Sequence, residues 1–284
     1  MSKGTTVDPS LINNLKGLKE RAQERTGGSG DITWYKPRDG KHTVRILPGK
    51  DGQSFVKERG THWDIGDDNA QVRCPNTTDN AGNPCYICEA QALFDRTGSK
   101  EDQETADTLR PKVDYLMNVI DRDDESAGVK VWSAPPTVID LIVGYVEDPS
   151  YGAIWDADEG TDFIVERKKS GSAFDYKASR FDRYPSPVSK DEEQVKEWLE
   201  AMVDLHGYVK PATYAETYEA LTGEKFEGEE PEAPEPVEEV EPEPAEEPEP
   251  EPVEETPEEE SKEDDTNELK DDIRAKLKKM KEKK

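Results

Sequence analysis

The chain has 284 residues, of which 37% are charged, and its formal net charge is −28 at pH 7. An acidic surface repels the phosphates of nucleic acids, so this composition excludes a nucleic-acid-binding protein whose whole surface is basic. Residues 138–146 form the most apolar run and are too few to span a bilayer, so we expect no membrane partner and a cytoplasmic location.

The charge is unevenly distributed along the chain. Residues 227–260 contain 18 glutamates, nine prolines and no lysine or arginine, whereas residues 1–63 carry 12 basic and seven acidic groups. A segment that repels itself and has few apolar side chains cannot build a core. We therefore predict three parts: a helical arm over 1–30, a folded body over 31–226, and a disordered acidic tail over 227–284 that ends in a basic amphipathic helix.

The predicted elements follow from hydrophobic periodicity, which changes from helical spacing to alternation after a glycine-rich stretch at residues 27–30. Short strands separated by tight turns favour a small Greek-key barrel, so the predicted class is mainly β with α (α+β). In chain order, the predicted elements are strands at 32–34, 42–47 and 53–59, a helix at 86–110, strands at 113–121 and 129–132, a helix at 136–147, a hairpin at 163–169 and 173–181, and helices at 191–205 and 212–221.

All three cysteines of the chain lie in one short stretch together with a histidine. The order is His62, eleven residues, Cys74, ten residues, Cys85, two residues, Cys88. A Cys-x-x-Cys pair and two further ligands from a preceding loop form the tetrahedral set that Zn²⁺ prefers, and four protein ligands leave no open position. We predict one structural Zn²⁺ inserted at about residues 60–112. The alternative is three free thiols that act as small buried hydrophobes.

Two clusters alternate aromatic rings with cations. Unpaired bases stack on aromatic rings while lysine and arginine follow the phosphates, so this mixture is typical of single-stranded nucleic-acid binding; the alternative is that the rings are core and the cations are merely solvated. The first cluster consists of Trp34, Tyr35, Lys36, Arg38, Lys41 and Arg45. The second runs from residue 163 to residue 184, and its candidate contact residues are Lys168, Lys169, Phe174, Tyr176, Lys177, Arg180, Phe181 and Arg183.

The zinc loop and its surroundings resemble the single-stranded DNA-binding, helix-destabilising proteins of T-even-like bacteriophages. The resemblance rests on His62-Trp63, Cys74-Pro75 and the run at residues 84–88, preceded by the strand at residues 41–48 and followed at a distance by the acidic tail. It implies an oligonucleotide-binding (OB-fold) barrel with an inserted zinc subdomain and a basic cleft. It also implies work in DNA replication, recombination and repair, self-association on DNA, and recruitment of replication and recombination proteins through the tail.

Two other classes of protein fit part of the same stretch. His62-x-Asp64 followed by Pro84-Cys85-x-x-Cys88 is similar to the signature of zinc-dependent nucleobase deaminases. Asp64 is one methylene shorter than the glutamate that this chemistry needs, and a fourth ligand at Cys74 would displace the catalytic water. The other alternative is a zinc-ribbon interaction protein without DNA affinity. We favour a protein that is not an enzyme.

Overall fold

The computed structural model describes residues 32–96, 99–148, 150–171, 173–231 and residue 273. The predicted helical arm over 1–30 lies outside these residues, as does the tail apart from residues 227–231 and Ile273. The chain divides into two compact units. Unit 1 comprises residues 1–59 and 113–210, and unit 2 comprises residues 60–112 and 211–284.

The described residues include nine strands, six α-helices, and three short 3-10 helices at Lys50–Gly52, Thr78–Asn80 and Glu125–Ala127. The strands are β1 (Trp34–Tyr35), β2 (Gly40–Ile46), β3 (Val56–Ile65), β4 (Ala70–Arg73), β5 (Lys112–Asp121), β6 (Val129–Ala134), β7 (Phe163–Ser170), β8 (Ala173–Asp175) and β9 (Arg180–Phe181). The helices are α1 (Tyr86–Asp95), α2 (Lys100–Leu109), α3 (Pro136–Val146), α4 (Glu192–Ala201), α5 (Leu205–Tyr208) and α6 (Tyr214–Thr222). None of the described helices has the length and apolar character needed to cross a membrane.

The sheet of unit 1 is mostly antiparallel and open. Its strand order is β1-β6-β5-β2-β7-β8, with β9 paired to β7 and β3 to β5; along the β1-to-β8 order, β1 and β6 run parallel and the other neighbours antiparallel. A barrel requires its two edge strands to pair with each other. Among the described strands, β1 pairs only with β6 and β8 only with β7, so the predicted closed barrel is corrected to an open α+β sheet.

One face of this sheet carries the core of unit 1. Side chains alternate between the two faces of a strand, and Val44 and Ile46 of β2 are fully buried on the same face as Phe163 and Val165 of β7. Trp132 of β6 packs into the same cluster, as does α3. The apolar residues that the alternation predicted therefore form the sheet's packed face.

Arg45 of β2 does not lie on the surface, which corrects its assignment to the first cluster of DNA contacts. Its side chain is fully buried, and its Nε donates to Asp162 at 2.7 Å while Nη2 donates to the carbonyl and hydroxyl oxygens of Ser186. Arg122 binds the same carboxylate at 3.0 Å. Two guanidinium groups thus share one carboxylate, and burial lowers the pKa of Arg45 while Asp162 opposes that effect.

Unit 2 is built from α1, α2, α6, β4 and the part of β3 that starts at Gly60. The predicted helix over 86–110 is two helices, because α1 ends at Asp95 and α2 starts after Ser99, whose hydroxyl accepts from the amide of Asp102. Helix α6 begins with a capping box between Thr213 and Glu216. The apolar faces of these helices meet in one cluster whose buried members include Ile87, Ala90, Phe94, Ala106, Leu109 and Leu221.

We expect Arg45→Ala to lower the free energy of unfolding by about 3 kcal/mol, because it removes a buried charge partner of Asp162 and leaves a cavity. Arg38→Ala is the matched control, since its side chain is 73% exposed and lies 3.9 Å from Asp123; it should cost less than about 0.5 kcal/mol. Urea unfolding followed by circular dichroism measures both. Equal losses in the two variants would contradict the structural role of Arg45.

Candidate metal centre and nucleic-acid interface

The four predicted metal ligands converge on one point within unit 2. His62 lies on β3, Cys74 directly follows β4, and Cys85 and Cys88 lie at the N-cap and in the first turn of α1. Their ligand atoms all lie within 4.8 Å of one another, and only Cys88 is partly exposed. The structure thus confirms that these residues form a group able to hold a metal ion.

The distances within this group fit a tetrahedral site. Cys74 Sγ lies 3.9 Å from Cys85 Sγ and 3.5 Å from Cys88 Sγ, and His62 Nε2 lies 3.4 and 3.6 Å from Cys85 Sγ and Cys88 Sγ. Around Zn²⁺, with Zn–S near 2.3 Å and Zn–N near 2.0 Å, tetrahedral geometry places two sulfurs about 3.8 Å apart and a sulfur about 3.5 Å from a nitrogen. The four distances are therefore close to those expected around Zn²⁺.

The second nitrogen of His62 is fixed by the backbone. Nδ1 lies 2.7 Å from the carbonyl oxygen of Leu109 at the end of α2. A carbonyl oxygen only accepts, so Nδ1 carries a proton, and Nε2 is the ring nitrogen that faces the cysteine sulfurs. Metal-bound histidines are usually oriented by such a bond, which also makes the ligand more basic.

The thiols and the imidazole also influence one another's protonation. Hydrogen bonds from Cys85 and Cys88 lower the pKa of Cys74. Burial opposes ionisation of His62, but its hydrogen bonds to Cys74 and Cys85 raise its pKa to about 9. The neighbouring thiols thus favour one thiolate at Cys74, whereas Cys74 and Cys85 raise the pKa of Cys88.

A close backbone approach places Cys74 beside β3. The Cys74 amide donates to the carbonyl of Gly60 at 3.0 Å, and the Gly60 amide donates to the Thr78 hydroxyl at 3.2 Å. A Cβ at residue 60 would collide with the Thr77 hydroxyl and crowd the Cβ of Cys74. Glycine at this position therefore allows the ligand-bearing turn to pack against the strand that carries His62.

The geometry does not suit a deaminase. Asp64, the residue at the position of the proton-transferring carboxylate, is exposed to solvent and has a positive φ of 55°. Four convergent ligands leave no position for an activated water, which catalytic zinc sites keep open. The cluster is therefore suited to a structural role.

The first aromatic and cationic cluster is only partly exposed. Trp34 is half-buried, with the Arg59 guanidinium 5.9 Å from its ring centroid, and Lys36, Arg38 and Lys41 are exposed. Lys36 and Arg38 line a cavity that also contains the carboxylates of Asp121, Asp123 and Asp124. These acids offset the positive charge of the cluster.

The second cluster places its cations on the surface of unit 1. Phe174 and Tyr184 are 45% and 76% exposed, and the Arg167 guanidinium stacks 3.3 Å from the Phe174 ring centroid. The exposed cations of this cluster are Lys168, Lys169, Lys177, Arg180 and Arg183. Tyr184, the last residue of the second cluster, is the most exposed large apolar side chain described.

Three further rings among the candidate contacts lie in the core instead of on the surface. Tyr35, Tyr176 and Phe181 are 6%, 8% and 3% exposed and belong to the apolar cluster of unit 1. Tyr35 packs edge-on against Trp132, and Phe181 packs against Phe163. A buried ring has no free face on which a base could stack. We therefore do not expect these three residues, or the buried Arg45, to contact DNA.

We expect the purified chain to carry about one zinc ion, and His62→Gln to weaken zinc affinity by more than about 100-fold, because the ligand and its bond to Leu109 are both removed. Competition with a chromophoric chelator measures the affinity. His42→Gln is the control, since this half-buried histidine bonds to Asp123 in unit 1. Equal zinc affinity in the two variants would exclude His62 as a ligand.

Comparison with known proteins identifies the family. A family model described as "gp32 DNA binding protein like" matches residues 38–227, which is more than half of the chain. No curated protein sequence gave a significant match. The matched range contains the Cys/His cluster and the whole second cluster, and the match confirms the resemblance to the T-even phage proteins. The chain therefore belongs to the gp32-like family of DNA-binding proteins, which are not enzymes.

Proposed function

We propose that this protein binds single-stranded DNA without sequence specificity, through the exposed residues of the second cluster. The observation that carries this proposal is the β7–β8 hairpin, where an exposed phenylalanine ring lies among lysines. Lys169 pairs with Phe174 across the hairpin, and Lys168 pairs with Asp175. A base stacked on the ring would have cations on either side for its phosphates.

The cations of the second cluster differ in whether a nearby carboxylate already neutralises them. Glu166 lies 2.7 Å from Lys168 and 3.6 Å from Lys41, so one carboxylate partly neutralises two lysines. This ion pair raises the pKa of Lys168 and lowers that of Glu166. Lys169, Lys177, Arg180 and Arg183 form no ion pair with another described residue. We assign the main phosphate contacts to these four side chains.

Arg167 prepares the Phe174 ring for stacking. Its Nη1 donates to Asp39 at 2.8 Å, and its plane covers one face of the ring. The guanidinium is thereby held in place, and the ring cannot rotate freely into solvent. The opposite ring face is left for a base, and Tyr184 supplies a second exposed ring.

The proposal extends to zinc and to biological role. We infer that a single Zn²⁺ occupies the four-ligand cluster and stabilises unit 2 without taking part in chemistry. In the cell the protein would coat and protect single strands during replication, recombination and repair, and would self-associate along them. The acidic stretch at 227–260 would compete with DNA for the cations, and the tail would recruit replication and recombination proteins.

We expect Phe174→Ala to weaken single-stranded DNA binding by about 5- to 160-fold, which corresponds to the loss of one stacked base of about 1–3 kcal/mol. The salt dependence of binding should change little, because no charge is removed. Titration of labelled oligothymidylate by fluorescence anisotropy measures the affinity. Val143→Ala is the control, since this exposed apolar side chain lies on α3. Unchanged affinity in Phe174→Ala would exclude the hairpin as a stacking site.

We expect the double variant Lys169→Ala/Lys177→Ala to lower the slope of log affinity against log salt by about 1.4, or about 0.7 for each single-strand phosphate that is no longer neutralised. The matched control is Lys190→Ala, which removes an exposed lysine outside the cluster. Anisotropy titrations between about 50 and about 400 mM NaCl would measure both slopes. An equal slope in the wild type and the double variant would contradict the assignment of these lysines to phosphates.

A further inference from the structure

Ile273 is buried although it lies in the charged C-terminal tail. It is helical, and its side chain is only 2% exposed. The preceding stretch over 227–260 cannot provide an apolar surface that would bury Ile273, because glutamate and proline dominate there. Burial of an isoleucine from such a tail requires an apolar surface on the folded part of the chain.

That surface lies on helix α1 of unit 2. Ile273 belongs to the same apolar cluster as Ile87, Ala90 and Phe94. It also lines a cavity of about 330 Å³. The other residues that line this cavity are Tyr86, Glu89, Ala90, Ala92, Leu93 and Arg96. The helix that supplies Cys85 and Cys88 thus presents an apolar groove in which Ile273 is already seated.

The sequence around Ile273 has the pattern of a groove-binding helix. Leu269, Leu277 and Met280 lie four residues before, four after and seven after Ile273, so a helix would place all four on one stripe. Peptide helices that dock in apolar grooves use this spacing of anchors. An isolated helix of about 20 residues is only marginally stable in water, so the stripe needs a surface to pack against.

The charges of the two parts are complementary. Residues 274–284 carry seven basic side chains and one acidic side chain. Residues 60–112 carry ten acidic and five basic side chains, and residues 211–231 carry six acidic and one basic. A basic segment is attracted to this acidic unit, whereas the stretch at 227–260 is repelled by it.

The connection between Pro231 and Ile273 allows this docking. The 41 residues from 232 to 272 form the linker, and the entropy cost of closing a loop grows only slowly with its length. Tethering also keeps the segment at a high effective concentration near its groove. Interactions that would be weak between separate molecules therefore suffice within one chain.

We propose that residues 265–284 dock in the groove on α1 of the same chain, with Ile273 as the central anchor. Docking closes the acidic stretch at 227–260 into a loop that is held at both ends. A protein partner that binds the apolar stripe of the tail must first displace it from α1, and its binding then releases the acidic stretch as a free arm. This inference does not depend on the proposed DNA site in unit 1.

Hydrogen exchange of the full-length protein, followed by mass spectrometry, tests the docking. Amides of residues 88–96 should exchange about tenfold faster or more in Ile273→Asp than in the wild type, because an anchoring isoleucine is removed and a charge is placed in the groove. Val253→Asp is the control, since it makes a similar apolar-to-acidic change within the acidic stretch; its exchange should match the wild type. Equal exchange in the wild type and Ile273→Asp would overturn the proposal.

A variant on the groove side provides a second test that does not touch the tail. Ala92 is exposed and lies within α1, so Ala92→Arg is compatible with the helix but fills the groove and repels the basic segment. We expect faster trypsin cleavage at Arg274 in this variant than in the wild type, by a factor similar to that in Ile273→Asp. Unchanged cleavage would overturn the docking, as would protection that increases with protein concentration, because it would place the segment in a second copy.

Discussion

The convergence of His62, Cys74, Cys85 and Cys88 is the constraint on which unit 2 depends. These ligands come from a strand, a turn and the start of a helix, and their sulfur and nitrogen atoms lie at tetrahedral spacings. A small unit buries a smaller fraction of its surface than a large domain, so its core alone stabilises it less. A shared cation would join elements that burial holds weakly, as structural metals do in other small domains.

Helix α1 links the metal centre to the rest of unit 2. Its first turn carries Cys85 and Cys88, its buried face carries Ile87 and Phe94, and a further part of its surface lines the groove that holds Ile273. The cluster that orients the start of α1 therefore also orients this groove. In unit 1, by contrast, the buried Arg45–Asp162–Arg122 group joins β2 to the segments that follow β5 and precede β7 without any metal.

Acidic side chains exceed basic ones in both units, by 28 to 23 in unit 1 and by 38 to 15 in unit 2. In unit 1 the exposed cations of the second cluster include four, Lys169, Lys177, Arg180 and Arg183, that form no ion pair with another described residue, whereas unit 2 is strongly acidic. Within the tail, an acidic stretch precedes a basic end. The acidic part of the tail is therefore attracted to cations, and its basic end is attracted to acidic side chains.

The sequence alone determined the features that depend on local order. Ligand spacing identified all four members of the metal cluster, alternation located most strands, and the motifs indicated the family that the match over 38–227 confirmed. Tertiary structure decided which rings and cations reach solvent. Neighbouring segments bury the side chains of Tyr35, Phe181 and Arg45. The side chains of Phe174 and Tyr184 are exposed. The open sheet and the burial of Ile273 also depend on contacts between distant segments. Local periodicity records only which face of an element is apolar, and not what covers that face.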